Sequence, residues 1–139
     1  MKRIIALAIG MAAISAACSS GNVFAIEVGQ CFNDPDNFEE VSDVEMVDCS
    51  DPHDNEAYHV YDMTQDDFPG DAAVQDLAQI ECVARFDAYV GSDYATSSLD
   101  IGAFFPTNET WDQNDREVIC FLYDLDFSKL TGLSEGSSL

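Results

Sequence analysis

Basic side chains are nearly missing from this sequence. Five Lys and Arg stand against 27 Asp and Glu in 139 residues, with only two histidines. That balance excludes nucleic acid as a partner, because phosphate recognition needs a basic footprint. Other absences narrow the chemistry. No C-x-x-C pair exists, so a zinc ribbon or finger is excluded. No Gly-x-Ser-x-Gly elbow surrounds a serine, and no twelve-residue EF-hand loop occurs. There is no internal repeat, and no apolar run is long enough to read as a membrane-spanning helix.

Residues 4–17, behind Lys2 and Arg3, carry no charge and are rich in Ile, Ala, Leu and Met. A positive start, an apolar stretch of this length and small residues after it read as a signal peptide. The stretch ends Ser15-Ala16-Ala17-Cys18, which resembles a bacterial lipoprotein signal, so residues 1–17 are expected to be removed and Cys18 lipidated. The palmitate-type anchor would hold the protein on the outer face of the cell membrane; an ordinary cleavage would leave it secreted. Removal of the signal leaves Arg85, Arg116 and Lys129, three basic side chains against 27 acidic ones, a balance of −24. Anionic headgroups repel such a domain, so membrane contact would come through the lipid alone. The charge keeps the protein soluble and favours basic protein surfaces or cations as partners.

Setting Cys18 aside leaves Cys31, Cys49, Cys82 and Cys120, an even number suited to two disulfides in a small exported domain. Four cysteines allow three connectivities. Cys31–Cys49 with Cys82–Cys120 is preferred, and the other two stay open. Each bridge would restrict the unfolded chain by about 3–4 kcal/mol.

Residues 18–25 read as a short lipid-anchored linker, with the seven residues 19–25 spanning about 25 Å when extended. A single domain occupies 26–133, and the Ser/Gly-rich segment 134–139 is expected to fray. Extended segments are expected over 26–32, 41–49, 56–63, 99–105 and 118–125, the last hydrophobic on both faces and so central. Val74, Leu77, Ala78, Cys82, Phe86, Tyr89 and Val90 recur at helical spacing between an Asp71 cap and a Gly91 stop. Residues 106–115, carrying Trp111, read as a loop. The fold class is therefore α+β: an antiparallel sheet of four to five short strands, one main helix and two disulfides.

The densest chemical cluster is Cys49-Ser50-Asp51-Pro52-His53-Asp54-Asn55-Glu56, with His59 beyond. His53 and His59 are six apart, a spacing that fits neither a helical pair nor a finger. A hydrolase built on His53, nearby carboxylates and Ser50 or Tyr58 is the alternative to a structural turn held by side-chain hydrogen bonds, which is preferred. Residues 34–37, 65–67 and 124–126 concentrate oxygen ligands and could bind calcium weakly, without matching a defined loop. No catalytic residue, metal ligand or cofactor is assigned.

The residues that carry a family likeness are Val28-Gly29-Gln30-Cys31-Phe32, Val47 through Glu56, Phe68-Pro69-Gly70, the helix end from Cys82 to Gly91, Pro106 and Trp111, Asp115 through Cys120, and Leu130-Thr131-Gly132-Leu133-Ser134. In that order they resemble the septum-formation domain family of actinobacterial secreted and membrane proteins, over nearly the whole mature chain. The resemblance implies the preferred disulfide pairing and a link to cell division, but no catalytic motif. Two departures stand out: Asp112-Gln113-Asn114 lacks the glycine usual before Asp115-Arg116, and the acidity exceeds what the pattern needs. Pro52, His53, Glu56 and Arg116 are the motif residues of interest, with Arg116 expected to centre ion pairs with Asp115 and Glu117. The expectation is a non-enzymatic envelope lipoprotein that binds or scaffolds other proteins; a hydrolase or a calcium-stabilised module is the alternative.

Overall fold

A computed structural model describes residues 19–37 and 41–139, so Cys18 and the signal segment lie outside the described residues. Six strands form one antiparallel sheet: β1 (Ser19–Asn22), β2 (Cys31–Phe32), β3 (Asp43–Val47), β4 (Asn55–Asp62), β5 (Leu99–Phe104) and β6 (Glu117–Asp124). Their spatial order is β1-β3-β2-β4-β6-β5. One long helix, α1 (Asp71–Val90), covers one face. This is the α+β architecture expected, with β1 added at an edge.

β4 and β6 form the centre, paired from Asn55↔Tyr123 to Asp62↔Glu117 with a register shift between Ala57 and His59. Because side chains alternate along a strand, β6 buries residues on both faces. Val118, Cys120 and Leu122 meet α1, while Ile119 and Phe121 join Phe32, Val44, Ala57 and Phe104 on the other side. Val44 and Phe104 lie on strands far apart in the sheet order yet share this second core, so the sheet curls around it.

α1 buries Val74, Ala78, Cys82, Phe86 and Val90, an unbroken i, i+4 stripe, against that first face. Leu77, expected in the buried set, is instead 36% exposed, since the stripe is narrower than the apolar pattern. The N-cap is Gly70 and not Asp71, and Gly91 ends the helix in the left-handed conformation at φ 84°. Both disulfides have the preferred pairing. Cys31–Cys49 links β2 to the turn after β3, and Cys82–Cys120 bolts the helix to β6.

Three segments depart from expectation. Residues 19–25 are not a free linker. Ser19 pairs with Met46 and Asn22 with Asp43 in the β1–β3 ladder, and Val23 is buried in the second core. The 106–115 loop contains a one-turn helix, α2 (Asn108–Trp111), closed by reciprocal Thr107–Thr110 capping hydrogen bonds. Asn114 follows it at φ 68°, which explains the missing glycine: asparagine tolerates the left-handed region that the turn requires. The 134–139 segment does not fray either. Gly136 N–H donates to Tyr89 O at 2.8 Å and Ser138 N–H to Val90 O at 2.9 Å, satisfying helix carbonyls left open at the C-terminus.

Candidate functional site

The motif between β3 and β4 is built as a turn and then buried. Asp48 Oδ1 accepts from Ser50 N–H and Ser50 Oγ, which together hold its carboxyl below the usual range. Pro52 is exposed on this turn. His53 is fully buried, and its backbone pairs in both directions with Leu130. Its Nδ1 lies 2.8 Å from Asp51 O and must donate there, since a carbonyl only accepts; Nε2 is buried with no partner.

Glu56 is equally buried. Tyr89 donates its hydroxyl to Oε1 at 2.7 Å, and Ser134 donates its N–H to Oε2 at 2.8 Å. The carboxylate therefore ties β4 to the end of α1 and to the C-terminal segment. Burial, then this hydrogen bond, pushes the Tyr89 hydroxyl up. Cys31, His53 and Glu56 bring potential ligand atoms within 4.8 Å of one another. With Cys31 Sγ bonded to Cys49, no thiolate remains, and the group offers a metal only two good ligands.

None of the candidate nucleophiles joins them. Ser50 is exposed on the turn and bonded to Asp48. Tyr58 donates its hydroxyl to Cys82 O across the helix–sheet core, and burial pushes that hydroxyl up. His59 lies on the partly exposed β4 surface, its Nε2 3.5 Å from Glu81 Oε1. Burial and Arg85 hold its imidazole below its usual range, against the pull of Glu81.

Arg116 differs from expectation. Its guanidinium lies 3.8 Å from the Trp111 ring centroid and donates to the carbonyls of Trp111 and Asp115, with a longer bond to Asp66 O. Asp115 and Glu117 are not its ion-pair partners. Backbone carbonyls and a π face satisfy the cation instead, and they pin the β6 entry to α2.

The carboxylates considered for calcium separate. Asp66 contributes its carbonyl at the Arg116 end of the sheet. Asp34 and Asp124 meet at the opposite end, where they line a cavity of about 240 Å³. Gly102, Phe121, Asn55, Tyr123 and Phe127 also line it, whereas the Ile101 side chain at its edge turns into the helix-side core. Gly102 is required here: a Cβ on it would stand 2.4 Å from the Phe121 ring, its cross-strand neighbour. Tyr123 is fixed from behind by its hydroxyl on Asp100 Oδ2, and Phe127, 80% exposed, stacks on it at 5.6 Å. Burial raises the Asp100 carboxyl, but hydrogen bonds from Tyr94, Ile101 N–H and Tyr123 outweigh it and hold the group low. Tyr94 is correspondingly pushed up to about 12.

At the rim, Asp54 pairs with Lys129 at 2.7 Å. Asp34 Oδ1 receives the Asn55 amide, and Asp124 Oδ1 receives the N–H groups of Asp126 and Ser128. Among the described residues neither Asp34 nor Asp124 has a basic side chain within ion-pair distance. Sequence reasoning singles out the two aspartates but not Gly102, Tyr123 or Phe127. An apolar residue such as Phe127, stranded after acids in Asp124-Leu125-Asp126-Phe127, is the signal that could have found them. A larger cleft of about 510 Å³ opens between the sheet edges, lined by Val23, Phe24, Phe104 and Phe105 among others.

Among the described residues no helix is long and apolar enough to cross a membrane. A family model described as septum formation matches residues 28–135. No curated protein and no solved structure matches the chain.

Proposed function

The chain belongs to the septum-formation family, and from that premise we propose that it is a non-enzymatic, extracytoplasmic binding module acting at the division site. In this reading Cys18 carries the lipid, and the partners are envelope proteins with basic surfaces. The observation that carries it is the fate of the motif side chains. His53 and Glu56, the groups fit for acid–base chemistry, are fully buried and bonded into the fold. A hydrolase needs such groups within reach of substrate and water. Interaction is left to the surface: among the described residues every Asp and Glu other than Glu56 is at least partly exposed.

The β1–β3 ladder sharpens the geometry of anchoring. Among the described residues pairing starts at Ser19, the residue after Cys18, so a lipid on Cys18 would hold the sheet edge near the bilayer. The acidic domain then stands off anionic headgroups and faces outward.

Affinity capture from envelope extracts with the mature domain tests the reading. Discrete protein partners are expected that elute as salt rises through about 0.1–0.5 M, where screening lengths shrink from ~10 Å toward a few ångströms. Recovery of none across that range, or lipid-free secretion shown by mass spectrometry of the mature protein, overturns the corresponding half of the proposal.

A further inference from the structure

We propose that the cavity between Asp34, Asp124, Tyr123 and Phe127 is a receptor for one arginine side chain, presented on an extended basic segment of a partner protein. The assignment rests on the reading of the protein as a module for basic partners, and it names the site and the group recognised.

Size comes first. At about 240 Å³ the cavity lies below the usual range for cofactors and drug-sized ligands, roughly 300–1,000 Å³, and suits a single long side chain. Its composition then selects the kind of side chain. The Phe121 ring over Gly102 gives a methylene stem an apolar surface, and the aspartates of the lining receive a cation. Asp54 already has Lys129, whereas Asp34 and Asp124 have only neutral donors among the described residues. Two carboxylates in this state lack a positive charge that the fold itself does not supply.

A metal ion fits poorly. Calcium requires six to eight oxygens, and much of this wall is aromatic ring or hydrocarbon. A guanidinium fits better than an ammonium. It is planar and weakly hydrated, stacks on aromatic faces and grips carboxylates with two parallel hydrogen bonds. Tyr123 and Phe127 are stacked at 15° between planes, and Phe127 stays 80% exposed until something covers it. The fold already uses the same chemistry internally, where Arg116 lies 3.8 Å over Trp111 with carbonyls around its edge. The cavity likewise offers aromatic faces, with carboxylates where Arg116 has carbonyls, and the arginine left out.

The test is a titration of the isotope-labelled mature domain with the peptide acetyl-Gly-Ser-Arg-Ser-Gly-amide, followed by amide chemical shifts. Shifts are expected to cluster on Gly102, Phe121, Tyr123 and Asp124. The analogue with neutral citrulline should leave them in place, and the lysine analogue should bind at least threefold more weakly. Phe127→Ala should weaken the arginine peptide about tenfold, and Asp34→Asn, outside regular structure, at least threefold should Phe127→Ala fold poorly. Shifts spread evenly over the acidic surface, lysine equal to arginine, or unaltered affinity in both variants would overturn the assignment. Loss of the peptide response while salt-sensitive partners are still captured removes this pocket and leaves the binding-module reading standing. A pocket response with no captured partner supports the pocket and removes that reading.

Discussion

Asn55 and Glu56 are adjacent on β4 and lie in different worlds. Strand alternation sends Asn55 to the open cavity, where its amide bonds Asp34, and Glu56 to the helix side, where Tyr89 and Ser134 close over it. Carboxylates occupy both sides. The sealed one has its oxygens filled by the fold and organises three segments of chain. The open ones receive neutral donors and face solvent. One strand therefore separates the residues that hold the structure from those available to a partner, and of the family motif His53 and Glu56 are among the sealed ones.

The comparison can be broken most severely at Glu56. Glu56→Ala strands a half-buried tyrosine hydroxyl and a buried N–H, so a loss of about 2–4 kcal/mol in denaturant unfolding is expected. The folded variant should still bind the arginine peptide within about twofold. Asp34→Asn is its counterpart, with stability unchanged to about 0.5 kcal/mol and binding reduced. A stable Glu56→Ala, or an unstable Asp34→Asn, would dissolve the division between the two faces. A smaller effect is expected from deleting residues 136–139. The variant loses the N–H donors that satisfy Tyr89 O and Val90 O, and a drop of about 1–2 kcal/mol should appear in the same unfolding measurement.

Most of the fold is legible in local signals. The α1 stripe, the Gly91 stop, the central two-faced strand and the disulfide partners all rest on short-range pattern or on position along neighbouring elements. The remainder is decided at long range. Ser19–Asn22 has no strand pattern of its own and becomes a strand because β3 offers an open edge. The Ser/Gly-rich end reads as mobile, yet the carbonyls at the end of α1 need donors and find them there. For Arg116 the sequence points to the right neighbourhood but the wrong partners: its flanking acids direct their carboxylates elsewhere, and the Trp111 ring reaches it across the turn after α2. The candidate site is the least legible part. Asp34 and Asp124 are far apart in the chain, and only the β2–β4–β6 pairing brings them to one cavity.

The smallest expected effect concerns the far end of the sheet, where acids gather without the relief expected from Arg116. Burial, with Asp62 and Asp115 nearby, raises the Glu117 carboxyl above its ordinary 4.5, and Oε1 is buried without a partner. A raised carboxyl binds protons more readily in the folded than in the unfolded state, so its charge opposes folding once both states are ionised. The penalty is complete above the folded value, shrinks as pH falls through it, and vanishes below the unfolded one. Glu117→Gln should consequently be the more stable protein at pH 7, by roughly 0.5 kcal/mol after solvent screening. The gap should close as the pH of the unfolding experiment is brought below about 4.5. A variant less stable than the parent at pH 7 would mean that Glu117 has a favourable partner there, and that this end of the sheet also belongs with the sealed, satisfied carboxylates typified by Glu56.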